Sequence, residues 1–354
     1  MKAGAVTPRQ KDSARIVEMA VPSPGRGEVL VKVLEVGIDG TDMEINRGQY
    51  GEPPLGQNFL VLGHEALGEV ENPGTTDFNK GELVVPLVRR PDSCINCRSG
   101  QSDMCLEGNY LECGIRGAHG FLREYLVEQP PFLIRVPAEL RQVAVLAEPM
   151  SIATKGIDQA IEFHRRSANP VQVVLVLGAG PLGLLATVLL RVQNFNTYTL
   201  DIVPKSSLKG QLVEAIGATY LDGGNSPIAE LPGQIGNLDI IVEATGNSTV
   251  AFQAMSALGT NGVICLMGVS TGEKPLEICA DCLNMQMVLG NKMIFGTVSS
   301  NRRHFEKAVQ LLGEIERSWP GWLARLTTRR LSFGDFKDAL HPTPDSIKTV
   351  IEIS

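Results

Sequence analysis

Val171-Gln-Val-Val-Leu-Val-Leu-Gly-Ala-Gly-Pro-Leu-Gly183 is the stretch that decides how this chain folds. A mostly apolar run, Val171 to Leu177, reads as a buried strand. It enters Gly178-Ala-Gly180-Pro181-Leu182-Gly183, and an apolar helix leaves over Leu182 to Val192. A G-x-G-x-x-G run carries little information alone, because glycine is common here. Between a strand and a helix it acquires a physical meaning. The glycines permit a tight turn, let a pyrophosphate approach the backbone, and let the helix pack close to the strand. The free N–H groups of the helix start then face the phosphates.

Working outward, Thr197-Tyr-Thr-Leu200 reads as a second strand ending at Asp201. A carboxylate there can bind both ribose hydroxyls of NAD and repel the 2′-phosphate of NADP. NAD is therefore the favoured cofactor and NADP the alternative, since Lys205 and Lys209 soften that repulsion. Two further strand-like runs, Leu238 to Glu243 and Gly262 to Met267, are each followed by small residues. Strands alternating with helices predict a doubly wound parallel sheet. Before Pro149 the pattern differs. Short β-type runs such as Val29 to Leu34 and Leu83 to Val88 are punctuated by Pro and Gly, which predicts a β-rich domain with long loops.

The chain has 354 residues, too many for one ordinary core, so two domains are expected. A hydrophobic fraction of 43% and a charged fraction of 20% suit a soluble globular protein. A net charge of -7 argues against nucleic-acid binding. The apolar stretch Val171 to Leu190 is broken by glycines and Pro181, so it is no membrane span, and the N-terminus lacks the apolar core of a secretion signal. A cytoplasmic protein is expected, with its seven cysteines free or metal-bound rather than in disulfides.

Cys94-Ile-Asn-Cys97, Cys105 and Cys113 lie in one polar loop. Four cysteines so close predict a structural zinc site, with Cys113 or Asp92 as fourth ligand. Cys279-Ala-Asp-Cys282 lacks a second pair and reads as structural, and Cys265 sits in an apolar strand as a core residue.

Three more segments stand out: Gly37-Ile-Asp-Gly-Thr-Asp42, Gly63-His-Glu65 and Ala147-Glu-Pro149. None is diagnostic alone. Together with the cysteine loop and the glycine turn, in this order, they resemble the zinc-dependent medium-chain alcohol dehydrogenases over essentially the whole chain. Val61-Leu-Gly-His-Glu-Ala66, Arg89-Arg90-Pro91, Gly117-Ala-His-Gly120 and Glu243-Ala-Thr-Gly246 make the archaeal-type glucose dehydrogenases the nearest group.

The resemblance implies an α/β chain: a GroES-like catalytic domain over 1–160 and 300–354, with a zinc lobe near 89–115, and a Rossmann domain over 161–299. It implies a catalytic zinc held by Asp39 and His64, with Glu148 binding directly or through water and Glu65 exchanging. Thr41 would relay the substrate proton, and Glu112, Glu148, Thr41 and Ser299 would meet a sugar or polyol. The cofactor would lie along Gly178, Gly180 to Gly183, Asp201, Thr245, Gly246, Gly268, Val269, Val298 and Ser299. A homodimer or homotetramer is implied as well. The chain departs from the family pattern in four places. Asp39 stands where most relatives have Cys, the first lobe cysteine is missing near Pro91 or Asp92, Gly290 and Ser299 replace the His and Asn of sugar-specific relatives, and Asp201 replaces basic residues. The alternatives are a dehydrogenase of another polyol, cyclitol or amino alcohol, and a metal-free dinucleotide sensor.

Overall fold

The computed structural model describes all residues except Thr271, Glu273, Lys274, Pro344 and Ser354. The chain divides into two compact units. One comprises Met1–Ser151, Ser299–Gly313 and Leu323–Ser354, and the other Ile152–Val298 and Glu314–Trp322. Among the described residues no helix is long and apolar enough to cross a membrane.

The first unit is built around Val29–Ile38, whose β-branched residues favour a pleated, buried strand. It pairs antiparallel with Glu65–Asn72, Lys348–Glu352 and Tyr125–Glu128. Leu83–Pro86, Leu133–Val136 and Thr327–Ser332 complete a seven-stranded sheet. Its apolar face buries Val31, Val33, Leu126, Phe121 and Phe336, at roughly 1.5–3 kcal/mol for each fully buried large side chain. The C-terminal strand thus returns to this unit and places Lys348 beside the line Gly37 and Glu65, which are paired in register. Gly37 is required there. A Cβ would collide with the Glu65 carboxylate and stand 2.9 Å from Lys348 Cε.

The second unit carries a six-stranded parallel sheet. Its order is Thr219–Asp222, Asn196–Asp201, Val173–Leu177, Ile240–Glu243, Val263–Leu266, Met293–Gly296. Val173–Leu177 is buried at every residue, as a central parallel strand must be. The helix Pro181–Val192 follows it and buries Gly183 through Leu190. The order of strands reverses beside Val173–Leu177, the position at which open α/β sheets bind their ligands. The segment Glu314–Trp322 also joins this unit, its Trp322 indole donating to Leu212 O at 2.9 Å.

Candidate active site

Asp39, His64 and Glu65 come together from two segments. Asp39 caps the helix Gly40–Asn46, accepting the Asp42 N–H on Oδ1 at 3.2 Å. This leaves Oδ2 to face His64 Nε2 at 3.5 Å and to accept the Thr41 hydroxyl at 3.1 Å. Gly63, at φ +81°, turns the chain sharply just before His64. Asp42 ties the two segments together. It is fully buried, its Oδ1 accepts the Gly63 N–H at 2.9 Å, and its Oδ2 lies 3.9 Å from His64 Nδ1.

Donor atoms of Asp39, His64 and Glu65 all lie within 4.8 Å of one another. Zinc–ligand bonds of about 2.0–2.1 Å give a tetrahedral edge of about 3.3 Å. The 3.5 Å between His64 Nε2 and Asp39 Oδ2 is close to that edge. The oxygen and nitrogen donors also suit zinc, and with Nε2 turned to Asp39 the carboxylate of Asp42 stands on the Nδ1 side at 3.9 Å, the side on which a zinc-bound histidine is usually backed by a carboxylate. Glu148, buried in the first turn of Ala147–His164, stands outside this trio yet interacts electrostatically with all three.

The charges are unusual for so buried a place. Burial opposes the charge on Asp39, but His64 and then Lys348 outweigh it and hold the carboxyl below its ordinary range. Burial likewise opposes the His64 imidazolium, and Asp39 with Asp42 and Glu148 raises its pKa well above the usual value. Burial pushes Glu148 up to about 8 and Asp42 up to about 7, each opposed by His64. Lys348, 1% exposed, forms an ion pair with Glu65. The sequence offered no signal for Lys348. Asp42 stood in a noted motif without a role.

The cysteine lobe bears on the two candidates for the fourth ligand. Donor atoms of Asp92, Cys94, Cys97 and Cys105 all lie within 4.8 Å of one another, a group that could hold a metal ion. Cys113 lies apart from them, its strand Leu111–Cys113 carrying it into the main core, where burial raises its thiol. Cys94 and Cys105 sulfurs are 3.9 Å apart, against about 3.8 Å for the edge of a zinc–thiolate tetrahedron with 2.3 Å bonds. Asp92 Oδ2 accepts from Cys105 Sγ at 2.9 Å, and that contact holds its carboxyl below the ordinary range. The Cys97 N–H lowers the Cys94 thiol, which favours the ligating thiolate.

Beside the lobe, Glu112 Oε1 accepts from Arg89 Nε at 3.0 Å and from Nη2 at 2.8 Å. The remaining Arg89 nitrogen donates to the carbonyls of Ser102 and Asp103, and its guanidinium lies over Tyr110 at 3.7 Å. Arg89 thus clamps the Glu112 carboxylate, a role that Arg89-Arg90-Pro91 does not announce in the sequence.

In the second unit the glycine turn has the form its sequence required. Gly178 lies at φ +95°. A Cβ at Gly183 would collide with Gly178 O, whereas at Gly180 it would meet nothing within 4 Å, leaving open space at the N-cap of Pro181–Val192. Asp201 Oδ2 accepts the Ala179 N–H at 2.7 Å and lies 3.7 Å from Lys209 Nζ. Lys205 instead pairs with Glu214. Thr245 donates its N–H to Glu243 at 2.7 Å, and Gly246 packs backbone to backbone with Gly268 and Val269. Val269 and Val298 are exposed apolar residues. Ser299, in the first unit, holds φ +58°, a conformation that costs energy for a non-glycine residue. Gly290 is the C-cap of Ala280–Leu289.

One correction concerns the remaining cysteines. Cys279 and Cys282 are joined in a disulfide, so not all seven are free or metal-bound. The two sulfurs fall on one turn, within bonding reach of each other. Cys265 is buried, as expected of a core residue.

A GroES-type sheet holding a zinc-suited trio and a parallel sheet with a dinucleotide turn are the two parts of a zinc-type medium-chain dehydrogenase. Comparison with known proteins gives the particular branch. Residues 25–138 match the alcohol dehydrogenase GroES-like domain, and residues 141–353 match the glucose dehydrogenase C-terminus. Glucose 1-dehydrogenase of Methanocella arvoryzae is 46% identical, covering 100% of this chain and 99% of that protein. The enzyme of Thermoproteus tenax is 39% identical with the same coverage. The structure of Haloferax mediterranei glucose dehydrogenase in complex with NADP, zinc and gluconolactone aligns with a TM-score of 0.92 at 36% identity, covering 100% of this chain and 99% of that one. The chain belongs to the glucose dehydrogenase family of zinc-type medium-chain dehydrogenases, and it is an oxidoreductase.

Proposed function

We propose that this enzyme oxidises the anomeric hydroxyl of an aldose, glucose first, to the lactone and passes hydride to NAD or NADP. The observation that carries this reading is the Asp39–His64–Glu65 trio, whose donor atoms lie within 4.8 Å of one another and whose Asp39–His64 pair is spaced near a zinc tetrahedral edge. Asp39 and His64 would hold the zinc, with Glu65 or Glu148 completing it. Zinc there supplies a Lewis acid that lowers the pKa of the substrate hydroxyl. Thr41, already hydrogen-bonded to Asp39, would accept the substrate proton on its hydroxyl oxygen and release one outward to solvent water. Glu112, fixed by Arg89, binds a sugar hydroxyl, and Glu148 and Ser299 serve the same substrate. The second unit contributes the dinucleotide, its pyrophosphate at the Gly178–Gly183 turn and the adenosine ribose at Asp201. Lys209 beside Asp201 moderates the repulsion of a 2′-phosphate, which supports use of both cofactors. Asp92, Cys94, Cys97 and Cys105 would hold the structural zinc, a set suited to a reducing cytoplasm.

A panel of aldoses and polyols, read by reduced-nicotinamide absorbance with both cofactors, tests the assignment. Glucose turnover that falls at least a hundredfold in His64→Ala is expected, and a zinc-free enzyme with undiminished turnover overturns it. A polyol preferred over every aldose would instead support the alternative that Ser299 raises. Self-association is part of the proposal. The helix Ala280–Leu289 has no buried residue, exposes Met285, Val288 and Leu289, and precedes the edge strand Met293–Gly296. Sedimentation of Leu289→Glu as a smaller species than the parent would agree with it, and parent and variant both sedimenting as monomers would refute it.

A further inference from the structure

Lys155 lies on the helix Ala147–His164, is 1% exposed, and has no part in the proposed chemistry. Burying a lysine is costly unless its ammonium is bound. Here Nζ donates to Val298 O at 3.0 Å. Gly156 lets the helix come close enough for this. A Cβ there would stand 2.7 Å from Met267 Sδ and 3.0 Å from Cys265 Sγ.

One turn earlier, on the same face of the helix, Ser151 donates to Glu148 O at 2.6 Å and therefore accepts the Ser300 hydroxyl at 2.6 Å. Val298 and Ser300 are thus each anchored, and between them Ser299 holds φ +58°. A residue other than glycine keeps such a conformation only where its surroundings over-determine it. The charge-assisted bond from Lys155 falls on the carbonyl of the peptide that joins Val298 to Ser299, so it is one of those constraints.

The place of that peptide gives the constraint a use. Val298 follows the strand Met293–Gly296, and Val269 follows the neighbouring parallel strand Val263–Leu266. Both valines leave the carboxyl ends of their strands, and they are 60% and 70% exposed. In an open α/β sheet the two halves of a dinucleotide lie outside those ends, on opposite sides of the strand that enters the glycine turn. Asp201 ends the strand on one side of Val173–Leu177. The nicotinamide half then falls on the other side, that of Val263–Leu266 and Met293–Gly296, where two exposed valines offer a flat ring an apolar surface.

We propose that Lys155 is a positioning residue for the nicotinamide, holding the strained Val298–Ser299 peptide in the form that receives the ring. It acts through that peptide and not on the cofactor itself. The proposal rests on the cofactor placement given above and not on the identity of the sugar.

The test uses the full-length, zinc-loaded enzyme and two probes, NADH and ADP-ribose, which differ by the nicotinamide ring. Calorimetric titration gives both affinities without any sugar. Lys155→Met should bind NADH at least tenfold more weakly than the parent and ADP-ribose within twofold of it. Lys155→Gln keeps a donor without the charge. Its NADH affinity should fall between those of the parent and Lys155→Met, and it carries the test where Lys155→Met does not fold. A lysine that serves packing alone would weaken both probes equally or neither, and either result overturns the proposal. A parent that binds the two probes equally tightly places the ring elsewhere and overturns it too. A parent that binds both probes but oxidises no aldose refutes the choice of substrate, and the two titrations still decide the role of Lys155.

Discussion

Replacing Lys348 by Met is the most informative single perturbation of the catalytic trio. Lys348 is 1% exposed, paired with Glu65, and attracted also by Asp39 and Glu148. Burial opposes its charge, and Glu65 above all restores it. Two unit charges 4 Å apart at an effective dielectric of 20 interact by about 4 kcal/mol, and removing one partner of a buried pair costs about 3–5 kcal/mol. For a unit of this size each kcal/mol moves Tm by about 2–4 °C, so zinc-free Lys348→Met should melt on the order of 10 °C lower. Zinc changes the outcome. The bound cation compensates the carboxylates that Lys348 no longer faces, so the loss should shrink to a few degrees in the loaded protein. Thermodynamic linkage then requires tighter zinc binding in the variant, readable by chelator competition as a gain of at least tenfold. Thermal melts with and without zinc check the first part. Equal losses in both states, or unchanged zinc affinity, would show that Lys348 acts by packing alone and would refute the electrostatic argument.

Three further outcomes are expected. Arg89→Lys replaces a planar fork with a point charge that cannot hold Glu112 and two carbonyls at once, so KM for the sugar should rise about tenfold with kcat nearly unchanged; an unaltered KM separates Glu112 from the substrate. Asp201→Ala should move the ratio of kcat/KM toward NADP by about tenfold and Lys209→Ala should move it toward NAD, and steady-state kinetics with both cofactors decide it. Burial, with help from Arg123, lowers the His119 pKa to about 4, and Nδ1 accepts the Val61 N–H at 3.2 Å. A depressed folded-state value means full stability above the unfolded value of about 6.5 and loss as pH falls from there to about 4, of about 1–2 kcal/mol after allowance for the partly exposed ring. Denaturant midpoints of His119→Gln should lack that component, and parallel pH curves for parent and variant would contradict it.

Local rules made much of this protein readable from its residues. A strand, three glycines and the start of a helix within thirteen residues leave few alternatives, and Gly178, Gly180 and Gly183 serve the steric ends expected of them. His64 and Asp39 were legible only as members of short motifs, because what unites them, the buried Asp42, acts across the chain through the Gly63 N–H. Lys348 was beyond reach of any such reading. It meets Glu65 only because the last strand pairs with Val29–Ile38, a contact set by sheet register rather than by neighbouring residues. Between Cys113 and Asp92 the sequence could not choose, because the spacing of Cys113 matched a ligand while the three-residue strand that carries it inward is not announced by its neighbours.

One small regularity reaches further than the site it was met in. Asp39, Cys94 and Cys279 each begin a helix, and each accepts the backbone N–H three residues on. The hydrogen bond that starts the helix therefore also fixes the direction of the side-chain atom that caps it. Reactivity at these positions is tied to local folding. A substitution that cannot cap would blur the ligand's aim and fray the first turn at once, so the two roles must be changed together.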